Sequence, residues 1–226
     1  MKYFLAASLI CGDPLKIFEE IKELEKANID FLHFDVMDGH FVPRIGLYPE
    51  MLTAIKKVTN IPIDVHLMLD EPEKYIPVFA KAGADYIAIH TEAKGDLLSN
   101  IKMIKECGVK AGAVLKVETD VSVLDSVIHE LDLVELMAIR PGILGQKMLP
   151  ETLDRIKAVS GKIKDYKNIL IEIDGGVTPE TAPEMVKMGA NLLVCGTGTI
   201  YRPHEDTLYN KVHALRKTID ESIYGL

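Results

Sequence analysis

The chain has no basic excess. Its 26 lysines and arginines face 34 aspartates and glutamates, for a formal net charge of -8, so no broad positive surface is available to neutralise a nucleic-acid backbone or an anionic membrane. An anionic small substrate would have to be held locally. Cysteine is scarce: Cys11, Cys107 and Cys195 are odd in number and lack C-x-x-C spacing, which argues against a disulfide framework and fits a reducing cytosol. Each reads as a small buried hydrophobe. No apolar run is long enough to cross a bilayer, and the N-terminal apolar stretch is short and broken by Gly12-Asp13-Pro14 before any cleavage pattern. It reads as a first strand of a soluble, cytoplasmic protein. Also missing are a G-x-G-x-x-G fingerprint, a P-loop, low-complexity segments and Ser/Gly linkers.

What is present is regular. The 226 residues are 48% hydrophobic and 27% charged, the composition of an ordinary globular protein, and the length suits one α/β barrel, so residues 1–226 are expected to form a single domain. Short apolar runs alternate with longer amphipathic segments, the pattern of successive βα units. Candidate strands are Phe4–Ile10, Phe31–Val36, Ile63–Met68, Tyr86–His90, Ala111–Leu115, Leu133–Ile139, Ile169–Asp174 and Leu192–Gly196. Between them lie helical patterns such as Leu15–Lys26, where Ile17, Ile21, Leu24 and Ala27 share a face. Asn28, Gly83 and Gly189 stand where helices would end, beside lysines suited to the negative end of the dipole. That order closes a (β/α)8 TIM barrel; a doubly wound open sheet is the rival architecture.

Function in a barrel gathers at the C-terminal ends of the strands. His33 and Asp35, two apart, point to the same side of the second strand. His66 stands toward the end of the third strand and Asp174 closes the seventh. Two imidazoles and two carboxylates converging at one mouth would suit zinc or another first-row divalent ion. Spacing alone leaves open a second reading, in which His33 and His66 are hydrogen-bonded core histidines while Asp35 and Asp174 cap the helices that follow.

The run His33-Phe34-Asp35-Val36-Met37-Asp38-Gly39-His40-Phe41-Val42-Pro43 resembles the signature of the ribulose-5-phosphate 3-epimerase family. So do Asp64-Val65-His66-Leu67-Met68, Pro141-Gly142-Ile143-Leu144-Gly145-Gln146-Lys147 and Glu172-Ile173-Asp174-Gly175-Gly176. The four motifs follow the family's order and cover nearly the whole chain. The resemblance implies a ribulose-phosphate binding barrel with one divalent metal ion per subunit, zinc foremost and iron, manganese or cobalt as alternatives, and no organic cofactor. By it, His33, Asp35, His66 and Asp174 match the metal ligands, and Asp35 and Asp174 the two acid/base residues. Epimerisation at C3 of a phosphorylated ketose needs a proton removed from one face and returned to the other, which two carboxyls achieve; the metal would polarise the C2 carbonyl and its neighbouring oxygen.

Ser8 and His66 match family residues at the substrate, and Met37, Met68 and Met137 match a ring of methionines over the metal, although methionines beside strand ends also serve as core filler. Gly142, Gly145, Gly175, Gly176, Gly196 and Thr197 would offer main-chain donors to a phosphate, or simply form tight turns. Pro141–Gln146 resembles a lid. Several positions depart from the family: Ala7 replaces a common proline, Arg44 and Arg140 replace asparagines, Ile143-Leu144 replaces Phe-Gly, and Thr197 stands for serine. The two arginines would then modify substrate choice. D-Ribulose 5-phosphate and D-xylulose 5-phosphate are the expected substrates, with a D-allulose-6-phosphate 3-epimerase as the alternative and a non-catalytic sugar-phosphate sensor behind it. Decarboxylase relatives would need an Asp-x-Lys constellation, and Asp35-Val36-Met37 lacks the lysine. Similar enzymes often assemble as homo-oligomers.

Overall fold

A computed structural model describes residues 1–143, 145–166, 168–202 and 206–225. Eight parallel strands close a barrel in sequence order: β1 Phe4–Ser8, β2 Phe31–Met37, β3 Ile63–Met68, β4 Tyr86–His90, β5 Lys110–Leu115, β6 Leu133–Met137, β7 Leu170–Asp174 and β8 Leu192–Cys195. β8 returns to β1 with Phe4 opposite Leu192 and Ala7 opposite Cys195. The α-helices are α1 Ile17–Lys26, α2 Pro49–Lys56, α3 Ile76–Ala82, α4 Leu97–Glu106, α5 Thr152–Ile163, α6 Ala182–Met188 and α7 Leu208–Tyr224. Between β5 and β6 the chain forms 3-10 turns at Val121–Ser126 and Ile128–Glu130 instead, where valines and an Asp120 side chain accepting from Ser122 N disfavour a regular α-helix. No helix among the described residues is long and apolar enough to cross a membrane.

Several expected strands end early. β1 stops at Ser8 because Leu9–Cys11 turns into a 3-10 segment, and β6 stops at Met137 rather than Ile139. The helix-ending positions are as expected: Asn28, Gly83 and Gly189 have φ of 54°, 110° and 114°. Cys195 is buried, but Cys11 is only partly so and Cys107 is exposed at the C-cap of α4, correcting the expectation that all three are interior.

Strand alternation sorts the interior. Outward residues such as Leu32, Phe34, Val65, Leu67, Ile87 and Ile173 pack under the helices as the main apolar core. Inward residues stack in layers. The lowest joins Phe4, Phe31, Tyr86, Leu133, Leu170 and Leu192, with the Phe31 ring edge-on to Phe4 at 5.8 Å and to Tyr86 at 5.7 Å. Above it lie His33, Asp64, Glu135 and Glu172, each 0% exposed. The top layer carries Ser8, Asp35, His66, Met37, Met68, Met137 and Asp174.

The opposite rim is fastened by a repeated clasp. The residue just before each even-numbered strand accepts a main-chain N–H from the preceding odd strand: Asp30 from Leu5 at 2.8 Å, Asp85 from Ile63 at 2.7 Å, Asp132 from Ala111 at 2.9 Å and Asn191 from Ile171 at 2.8 Å. In all four, the same residue's own N–H donates back to that strand residue's carbonyl. Strand starts that lack a ladder partner are thereby paired.

Candidate active site

The register that closes the barrel also gathers the polar side chains. Asp35 stands opposite His66 on β2 and β3, His33 opposite Asp64, Glu135 opposite Glu172 on β6 and β7, and Met137 opposite Asp174. Asp35 Oδ1 lies 3.4 Å from His33 Nε2 and 3.9 Å from His66 Nδ1, and Asp174 Oδ2 also reaches His66 Nδ1 at 3.9 Å. His33, His66 and Asp174 thus fall in one cluster, with donor atoms within 4.8 Å of one another, and Asp35 lies beside both imidazoles. Ser8 Oγ donates to Asp35 Oδ2 at 2.9 Å, fixing that carboxylate from β1.

Hydrogen bonding decides which ring nitrogens face the centre. Glu92 accepts from Lys116 N and the Thr119 hydroxyl, and its Oε2 is 3.1 Å from His90 Nδ1. Burial raises the Glu92 carboxyl, but these donors outweigh it and hold it at about 2. Burial lowers His90 to about 4. An ionised Glu92 requires the single His90 proton on Nδ1, which leaves His90 Nε2 as an acceptor. His66 Nε2, 2.9 Å away, must then carry the proton. Burial, reinforced by the charge of His33, lowers His66 as well, so its Nδ1 presents a lone pair toward Asp35 and Asp174. His33 Nδ1 lies 2.7 Å from Asp64 Oδ2 with Nε2 toward the same point. Burial lowers this ring, but the Asp35, Asp64 and Glu172 carboxylates outweigh it and hold it well above its ordinary value, so a cation at Nε2 would displace a proton. His33 Nε2 and His66 Nδ1 are fully buried with no hydrogen-bond partner among the described residues. Two imidazole nitrogens and two carboxylates aimed at one point, each histidine backed by a carboxylate or a second histidine, fit a divalent cation.

The two aspartates are driven in opposite directions. Burial would raise Asp35, but the imidazoles of His33 and His66 and the Ser8 hydroxyl bring it below its ordinary value. Burial raises Asp174, and the neighbouring Asp35 and Asp64 charges add to it against the pull of the histidines.

Above this centre opens a cavity of about 720 Å³, within the range of small-ligand sites. Its wall contains Ser8, Asp35, Met37, Met68, Met137, Asp174, Gly142, Gly145, Gly175, Gly176, Gly196 and Thr197, while His33 and His66 lie buried below the cavity. Gly176 has φ 63°, and a Cβ there would stand 2.7 Å from Met148 Cα. Only glycine lets those two loops meet. Arg44 also lines the cavity. Arg140 does not: Ile139 faces inward against Gly175, so the next side chain projects outward, largely exposed and 3.8 Å from Glu118. In the Pro141–Gln146 loop, Gln146 Nε2 donates to the carbonyls of Arg140 and Ile143; Leu144 lies outside the described residues.

Sequence reasoning passed over Asp64, Glu135, Glu172, His90 and Glu92. A usable signal was present, since Glu135 precedes Met137 by two residues and Glu172 precedes Asp174 by two, and strand parity aims each pair to the same side.

Residues 4–200 match the sequence pattern of the Ribulose-phosphate 3 epimerase family. The chain belongs to that family. It is 49% identical over 195 residues to the ribulose-phosphate 3-epimerase of Bacillus subtilis (strain 168), covering 85% of this chain and 90% of that one. The ribulose-phosphate 3-epimerase of Buchnera aphidicola subsp. Schizaphis graminum is 38% identical over 220 residues, 96% of each chain. Among solved structures, 3-hexulose-6-phosphate synthase from Salmonella typhimurium superposes with a TM-score of 0.70 over 98% of this chain and 100% of its own, at 14% identity; that likeness shows the fold alone. Family membership places the chain among isomerases acting on carbohydrates.

Proposed function

We propose that the chain is a metal-dependent ketose-phosphate 3-epimerase interconverting D-ribulose 5-phosphate and D-xylulose 5-phosphate by two-base proton transfer at C3. The observation that carries this reading is that Asp35 and Asp174, on strands separated by β1 and β8, both line one cavity and both approach His66 Nδ1 at 3.9 Å. A carboxylate held below its ordinary value stays ionised and can act as the base, whereas one raised above it holds a proton more firmly. Ser8 fixes the orientation of Asp35, and the buried Met37, Met68 and Met137 keep water from the reacting carbon. His33, Asp35, His66 and Asp174 would hold the cation, with zinc, iron, manganese and cobalt all compatible with two nitrogens and two oxygens. When bound, it would polarise the ketose carbonyl and offset the charge that builds there. The glycine-rich wall from Gly175, Gly176, Gly196 and Thr197 would take the phosphate, and closure of the Pro141–Gln146 loop would shield the sugar.

Asp174→Asn and Asp35→Asn are each expected to lower turnover by at least about a hundredfold and to abolish exchange of the C3 hydrogen with deuterated water, with circular dichroism unchanged. Near-normal turnover in either variant would remove that aspartate from the mechanism. Arg44, the substituted cation in the cavity wall, supports keeping D-allulose 6-phosphate as a second substrate; the ratio of kcat/KM for the pentulose and hexulose phosphates decides between them. Exposed Leu15, Phe18, Ile45 and Tyr48 support self-association, which light scattering would test. The free cysteines are compatible with a cytoplasmic location.

A further inference from the structure

We infer that Glu135 is a fifth donor to the cation, making this centre richer in carboxylate than the four-ligand set and suited to ions that take five or six ligands. The inference rests on the metal reading proposed above. Glu135 points inward from β6, is 0% exposed, and places Oε1 2.9 Å from His66 Nδ1. The pair is out of line for a hydrogen bond, and both Glu135 oxygens lack a partner among the described residues. A Glu135 oxygen and the His66 ring nitrogen thus face one another at contact distance, and neither has another partner among the described residues. A proton or a cation between the two atoms would satisfy both. A proton shared by them would serve that one pair and leave His33 Nε2 without a partner. A cation serves them together: one donor atom from each of His33, His66, Glu135 and Asp174 falls within 4.8 Å of all the others, and Asp35 Oδ1 approaches both imidazoles.

An inward carboxylate directly above Leu133, with no hydrogen bond of its own, is costly unless an ion compensates it. Zinc is usually satisfied by four tetrahedral ligands, whereas manganese favours higher coordination with oxygen donors. Glu135 thus bears on which metal the chain prefers, independently of the proton transfer.

The test compares wild type with Glu135→Leu and Glu135→Gln, each stripped by chelator and reloaded with Mn²⁺, Zn²⁺ or Co²⁺. Affinity is read by calorimetry, coordination by the visible absorption of bound Co²⁺, and fold by melting of the metal-free form. The leucine variant is expected to weaken Mn²⁺ at least about tenfold and more than it weakens Zn²⁺. Its Co²⁺ bands should strengthen as coordination falls toward four, and its metal-free form should melt no lower than wild type. The glutamine variant, nearly isosteric, should lie between. Unchanged Mn²⁺ affinity and an unchanged Co²⁺ spectrum in both variants would overturn the assignment, as would a lower metal-free melting temperature with unchanged affinity, which would make Glu135 a structural partner of His66. Failure of wild type to bind any of the three ions would remove the metal reading itself, before any variant is compared.

Discussion

Asp35 and Asp174 carry the same side chain and stand equally far from His66, yet their neighbours push them apart. The cysteines show the same control by surroundings. Burial pushes the Cys195 thiol up to about 12 and raises Cys11 as well. Because the thiolate is the nucleophile, raising a thiol's pKa leaves less of it reactive at a given pH. At pH 8, iodoacetamide should label exposed Cys107 first and Cys11 slowly, with Cys195 reacting only after unfolding in urea; mass spectrometry of digests reports the order. Native labelling of Cys195 as fast as Cys107 would contradict this. At this scale the sequence was most legible where a motif carried the residue, as for His33, Asp35, His66 and Asp174. Ser8 was recognised, but not its bond to Asp35, because the two are 27 residues apart and meet only across the β1–β2 edge. Glu135 was legible only through its parity with Met137, because a single carboxylate in the apolar run Leu133–Met137 does not by itself mark a site.

Among the elements, strand identity followed from apolar runs and turn chemistry, while strand ends did not. An apolar run such as Leu133–Ile139 continues past β6 because Ala138 and Ile139 stay buried beyond its last residue, Ala138 in the outer core and Ile139 with the inward residues; burial and ladder length are separate quantities. The four-fold clasp at the opposite rim was equally invisible, since an Asp before a strand looks like ordinary loop composition. It makes a sharp prediction. Asp132→Ala removes the acceptor for Ala111 N–H and should lower stability by about 1–3 kcal/mol, read from urea unfolding. Asp132→Asn should cost far less, because Asn191 already makes the same bond at β7 and β8. Equal losses in the two variants would show that charge, not the acceptor oxygen, matters there.

Across the whole molecule, two interiors of opposite character are built from one sheet. Outward strand residues and the helices bury an ordinary apolar core, which is why composition and alternation sufficed to indicate the barrel. The inner column is different: His33, Asp64, Glu135 and Glu172 are shut from solvent above an apolar floor, and burial drives Glu135 and Glu172 well above the ordinary carboxyl range. Such a column is costly to close unless positive charge compensates it. A cation at its top would therefore act on stability as well as chemistry. At a metal concentration one hundred times its Kd, binding to the folded form alone adds about 2.7 kcal/mol, and for a chain of this size each kcal/mol moves the melting temperature by about 2–4 °C. Chelation should then lower the melting temperature by about 5–10 °C, and re-addition of Mn²⁺, Zn²⁺ or Co²⁺ should restore it. Calorimetry on protein whose metal content has been measured before and after chelation checks this. An unshifted melting temperature after verified metal loss would mean that the buried column is neutralised by its own protons and needs no ion to stand.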